Sequence, residues 1–88
     1  MNKERFYQII DEVYNKYLTK YVGYDDVPPK ELFLFEIKNN TEFSERWGLK
    51  IEERELSDDE LNIFNLFKQN PTKLITLTYN NETIESYE

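Results

Sequence analysis

Residues 3–22 repeat apolar side chains at a period that no strand can use. Phe6, Ile9, Ile10, Val13, Tyr14, Tyr17, Leu18, Tyr21 and Val22 fall at the i, i+3, i+4 spacing of one helix face. At about 100° per residue, Phe6, Ile10, Val13, Tyr17 and Tyr21 form the centre of that face. Tyr7, Tyr14 and Leu18 lie along one edge, and Gln8, Glu12, Asn15 and Lys16 point away. Asn2 is placed to cap this helix, Gly23 to end it as the residue of positive φ, and Glu12 to pair with Lys16 one turn on. A stripe this long must be covered by whatever the rest of an 88-residue chain builds.

The C-terminus supplies a surface of the other period. Residues 74–79 and 82–87 are rich in β-branched and aromatic side chains and flank Asn80-Asn81. Asn tolerates the positive φ that a two-residue type I′ turn needs. That turn sets Leu77 opposite Ile84, Thr78 opposite Thr83 and Thr76 opposite Glu85. Ile75, Leu77 and Ile84 then share a core-facing side and the threonines the other.

The middle of the chain alternates. Asp25-Asp26 and Pro28-Pro29 make 24–30 a loop. Residues 32–38 are apolar on both faces of an extended reading and predict a central strand, although a short buried helix has the same look by periodicity alone. Asn39-Asn40 forms a turn. Thr41 can cap a short helix that holds Phe43 and Trp47 and closes at Gly48. Residues 49–56 read as a second strand, with Leu49, Ile51, Glu53 and Glu55 on one side and Lys50, Glu52, Arg54 and Leu56 on the other. Ser57 with Glu60 three residues later matches a capping box. It opens a helix over 58–69 whose Leu61, Ile63, Phe64, Leu66 and Phe67 give a broad apolar face, and Asn70-Pro71 ends it. The expected fold is one α+β domain over 1–88. Its two main helices, 3–22 and 58–69, pack on a mostly antiparallel sheet of about four strands, in the order α-β-(short α)-β-α-β-β.

Composition narrows the chemistry. The chain lacks His and Cys, so the usual neutral-pH base and the usual thiol nucleophile are both missing. The expectation is a protein that is not an enzyme and has no catalytic residues, metal site or cofactor. Absence of Cys fits a reducing compartment. The start, Met-Asn-Lys-Glu-Arg, leads straight into the amphipathic pattern without the apolar run of a secretory signal, and no span of about 20 apolar residues exists. A cytoplasmic protein with no membrane contact is expected. The chain has no Ala, three Arg and abundant Lys, Asn, Ile, Tyr and Glu, the bias of an AT-rich genome. That points to a low-GC bacterium, or to a phage or mobile element living in one.

The net charge is −7, and it is unevenly placed. Residues 1–30 hold five bases and five acids. Residues 52–60 hold six carboxylates and one arginine. Ser57, Asp58, Asp59 and Glu60 have a local explanation, since a capped helix start favours negative charge. Glu52, Glu53 and Glu55 have none, because strands are poor places for carboxylates. Glu53 and Glu55 would project from one face about 7 Å apart, and Asp58 and Asp59 would extend the field. The expected partner is a protein with a basic surface, met at Glu52, Glu53, Glu55, Asp58 and Asp59, with no direct nucleic-acid contact. In size and acidity the chain is similar to proteins that block nucleic-acid enzymes by imitating phosphates, such as anti-restriction and anti-CRISPR proteins. The similarity is one of class and rests on no motif.

Two other readings compete. The Tyr7, Tyr14, Leu18 edge could serve a scaffold or immunity-type interaction protein, since Tyr is enriched at interfaces. Glu36-Ile37-Lys38, with Asp25 and Asp26 upstream, resembles the metal-dependent nucleases that carry an Asp followed by Asp/Glu-x-Lys. That resemblance covers three matched residues. It implies a carboxylate on Mg²⁺ and a lysine beside the attacking water, with Glu36 and Lys38 on one strand face. The family's Pro-Asp pairing is missing, and the charge opposes DNA binding.

Overall fold

The computed structural model describes residues 3–88. The elements are α1 (Lys3–Leu18), extended by a 3₁₀ turn (Thr19–Tyr21), α2 (Lys30–Asn39), α3 (Thr41–Trp47), β1 (Leu49–Glu55), α4 (Asp58–Leu66), β2 (Lys73–Tyr79) and β3 (Glu82–Tyr87). The class is α+β, with four helices and one antiparallel sheet of three strands in the order β1-β2-β3. No helix of the described residues is long and apolar enough to cross a membrane.

The hairpin follows from its turn. Asn80 and Asn81 sit at φ 49° and 65°, and the register pairs Leu77 with Ile84, Thr78 with Thr83 and Thr76 with Glu85. β1 joins β2 with Leu49 opposite Tyr79 and Ile51 opposite Leu77. Alternation therefore collects Leu49, Ile51, Ile75, Leu77, Tyr79 and Ile84 on one face, and all are buried. α1 covers that face with Phe6, Ile9, Ile10, Val13 and Tyr17. Each such side chain taken fully from water stabilises the fold by roughly 1.5–3 kcal/mol. At its N-terminal end α1 is tied to β3 by a forked contact, Arg5 donating to both Glu82 oxygens at 2.9–3.3 Å. Lys16, expected to pair with Glu12, donates to the Tyr79 hydroxyl at 3.0 Å. The α-helix stops at Leu18, four residues short of the expected end. The chain then tightens through the 3₁₀ turn to Gly23 at φ 87°. The Asn2 cap lies outside the described residues.

The stretch 32–38, expected as a central strand, is helical. This removes the fourth strand. Pro28-Pro29 is the local cause. Pro29 holds φ −68° at the N-cap position, and its carbonyl accepts the Leu32 and Phe33 amides at 3.1 Å. Only Ile37 of the ten α2 residues is β-branched, and Leu, Glu and Lys favour helix. Phe33 and Ile37, one turn apart, are the buried pair. Leu32 and Phe35 face outward. Asn40, not Thr41, caps α3, its side chain accepting the Phe43 amide at 3.2 Å, and Gly48 closes α3 at φ 64°. Tyr17 sits at the centre of the aromatic part of the core, its ring 4.8 Å from Phe33, 5.5 Å from Trp47 and 5.7 Å from Phe43. Burial pushes its phenol up to about 12, helped by the hydrogen bond it shares with Tyr21.

α4 does not join this core. The capping box is present as expected, with Ser57 accepting the Glu60 amide and Glu60 accepting the Ser57 amide. The helix ends three residues earlier than expected. Lys68 takes φ 56°, and the amides of Lys68 and Gln69 close back on the carbonyls of Asn65 and Phe64. This is a Schellman end with lysine where glycine is usual. No α4 residue is buried. The helix leaves the sheet as an arm, and the molecule measures 51 × 23 × 21 Å, with a radius of gyration of 15.3 Å. A compact chain of this length would have about 12 Å.

Candidate functional site

The corner where β1 passes into α4 carries the densest charge. Alternation along β1 sends its carboxylates in two directions. Glu53 and Glu55 lie on the face that α1 and α2 cover, and Glu52 lies on the opposite face with Lys50, their charged atoms 3.5 Å apart.

The carboxylates differ in what compensates them. Glu53 accepts a hydrogen bond from Lys38 of α2 at 2.8 Å and a longer one from Lys73 of β2 at 3.5 Å. The Lys38 bond is the chief reason its carboxyl is held below the usual range. Glu60 is held more firmly. Arg54 donates to both its oxygens at 2.8 and 3.1 Å, the Ser57 amide and hydroxyl donate at 3.0 and 3.1 Å, and the Tyr87 phenol donates at 3.1 Å. Arg54 first, then the Ser57 amide, lower its pKa to about 2. Glu60 is therefore the joint by which α4 is attached to the sheet, with the Phe64 ring packed 4.7 Å from Tyr87 beside it. Beneath this contact Leu74, paired with both Arg54 and Tyr87, is buried on the face opposite the main core.

Glu55, Asp58 and Asp59 remain. All three are exposed, and among the described residues none has a hydrogen-bonding or ion-pair partner for its carboxylate. The sequence places Glu52, Glu53, Glu55, Asp58 and Asp59 in one patch. Along the chain Glu55, Asp58 and Asp59 flank the strand–helix turn, Glu52 lies on the opposite face of β1 from Glu55, and Glu53 is committed to two lysines from distant elements.

The tyrosine edge of α1 is the rim of the core. The Tyr14 hydroxyl donates to the Pro28 carbonyl at 2.6 Å, and its ring lies 5.5 Å from Phe33. Leu18 packs against the core cluster. Tyr7 is the exposed member and donates to Glu88 at 3.3 Å. The strand face that the nuclease resemblance requires does not exist. Glu36 and Lys38 stand on a helix, where residues two apart point about 200° from one another. Lys38 reaches Glu53, and Glu36 accepts from Asn40 at 3.4 Å. Among the described residues no three His, Cys, Asp or Glu side chains are placed to hold a metal ion.

Sequence reasoning assigned Leu61, Ile63, Phe64, Leu66 and Phe67 to the core. Only Phe64 turns inward; Ile63, Leu66 and Phe67 are 54%, 82% and 70% exposed. α4 meets the sheet face opposite α1, where Leu74 and Tyr87 are the large non-charged side chains near it. Comparison with protein-family models, with curated proteins and with solved structures finds no match to this chain.

Proposed function

We propose that this chain is a small, non-catalytic acidic protein that binds a partner protein through a basic surface and inhibits or regulates it by occupying that surface. The contact is the β1–α4 corner, with Glu55, Asp58 and Asp59 at its centre and Glu52 at its margin. The observation that carries this reading is the uncompensated charge there. Two lysines and one arginine neutralise Glu53 and Glu60 within the fold, while the three neighbouring carboxylates are exposed and have no partner among the described residues. Carboxylates at a helix start attract cations from a distance and raise the on-rate of a basic partner. An enzyme that handles nucleic acid has such a surface, and there the carboxylates would stand in for phosphates.

The test is capture from a low-GC bacterial lysate at about 0.05 and about 0.2 M salt, with the double variant E55K/D58K run beside the wild type. The reading expects a protein retained by the wild type, released by salt or added DNA, and not retained by the variant, whose circular dichroism is unchanged. Retention of the same proteins by both forms would overturn it.

A further inference from the structure

β1 is an edge of the sheet, and its outer side is only partly closed. Lys73 of β2 and Glu88, just past β3, exchange both backbone hydrogen bonds. Alternation therefore turns the backbone groups of Leu74, Thr76 and Thr78 toward β1, onto their partners Arg54, Glu52 and Lys50. The backbone groups of Leu49, Ile51, Glu53 and Glu55 point the other way, off the sheet. Two of those four carbonyls are taken. Ser44 donates to that of Leu49 at 2.6 Å, and Arg54 to that of Glu55 at 3.1 Å. Among the described residues, the amides and carbonyls of Ile51 and Glu53 have no partner on that side. Such a row is a template for another strand.

There is room beside it. Two open cavities of about 230 and 570 Å³ share Lys38, Ile51 and Glu52 as walls. Ile37, Thr41 and Ser44 complete the smaller one as a trough able to take a side chain. About 13 Å further along β1 stands Glu55, whose carboxylate has no partner, with Asp58 and Asp59 next in the chain. We infer that β1 accepts an extended segment of the partner as a fourth, antiparallel strand, and that this segment carries a basic residue four positions ahead of an apolar one. An antiparallel strand passes Glu55 first and Ile51 four residues later, and both of those positions point to one face. The basic side chain meets Glu55, and the apolar one enters the trough over Ile37. Main-chain bonds supply the affinity and alternate side chains the register. A second copy of the chain does not fit this edge, because residues 52–60, with six carboxylates and one arginine, would meet their own charge. The inference rests on the corner reading proposed above and adds the form of the partner.

Calorimetric titration of the full chain with the acetylated, amidated octapeptide Lys-Arg-Thr-Thr-Thr-Val-Thr-Asn tests it, with amide exchange read at Ile51 and Glu53. The peptide is expected to bind with its Arg opposite Glu55 and its Val opposite Ile51, and to protect both amides. N-methylation of its Arg, second Thr and Val, whose amides face β1, is expected to weaken binding at least about 10-fold. N-methylation of its first and third Thr, whose amides face away, is expected to leave binding unchanged. E55K/D58K is expected to weaken it about 10-fold. Equal effects of the two methylation patterns, with E55K/D58K still weakening binding, would overturn strand addition and leave the corner reading standing. Binding indifferent to E55K/D58K would overturn both. A peptide that does not bind at about 1 mM would overturn strand addition. So would amides of Ile51 and Glu53 that gain protection in the free chain as its concentration rises, which would assign the edge to a second copy.

Discussion

α1 and α4 are both amphipathic helices beside the same three strands, and they meet opposite fates. α1 buries five side chains and closes the core. α4 buries none and touches the sheet through Glu60 and Phe64. The difference teaches that an apolar helical period states that a face must be covered, without stating by what. α1 has sixteen residues and the whole inner face of the sheet. α4 has nine, begins in a charged turn and faces strands whose outer side, apart from Leu74 and Tyr87, is threonine and charge.

Substitution should separate the two regions widely. Phe33→Ala or Ile9→Ala, each removing a fully packed side chain, is expected to cost about 3–5 and 2–5 kcal/mol respectively in denaturant unfolding followed by Trp47 fluorescence. If either costs less than about 1 kcal/mol, the core described above is wrong. Lys68→Gly relieves a left-handed lysine and is expected to stabilise the end of α4 by about 1 kcal/mol, read from exchange of its amides. Leu66→Ala is expected to change monomer stability by no more than about 0.5 kcal/mol.

The two regions should also answer to different titrations. Glu60 has a lowered pKa, so its contribution is present above the ordinary carboxylate value near 4.5 and is lost as pH falls toward about 2. In that window the Phe64–Tyr87 contact seen by NMR should weaken, and added salt should weaken it further. Tyr17 has a raised pKa. Its contribution is full below about 10 and is lost as pH rises through about 12. Trp47 fluorescence should therefore report loss of the aromatic core in alkali. A Phe64–Tyr87 contact indifferent to acid, or Trp47 fluorescence unchanged as pH rises through about 12, would contradict the assignment.

The parts legible in the sequence were those fixed by local chemistry. Asn80-Asn81 sets the hairpin register because a two-residue turn leaves one alignment. Ser57 and Glu60 announce the helix start. Leu32, Phe33, Leu34 and Phe35 look like a strand in the sequence because four apolar residues in a row have no period. The cue that decides them is Pro28-Pro29 ahead of them, which sets a helix start. Glu53 looked unexplained because its partners, Lys38 and Lys73, arrive from α2 and β2, and such distant pairings leave no trace in spacing.

Native-state hydrogen exchange at several protein concentrations bears most directly on the division between core and arm. The amides of α1 and of β2 are expected to exchange only by global unfolding at every concentration. Those of α4 are expected to exchange by a smaller, local opening. Protection of α4 equal to that of α1 in the most dilute sample would contradict the account.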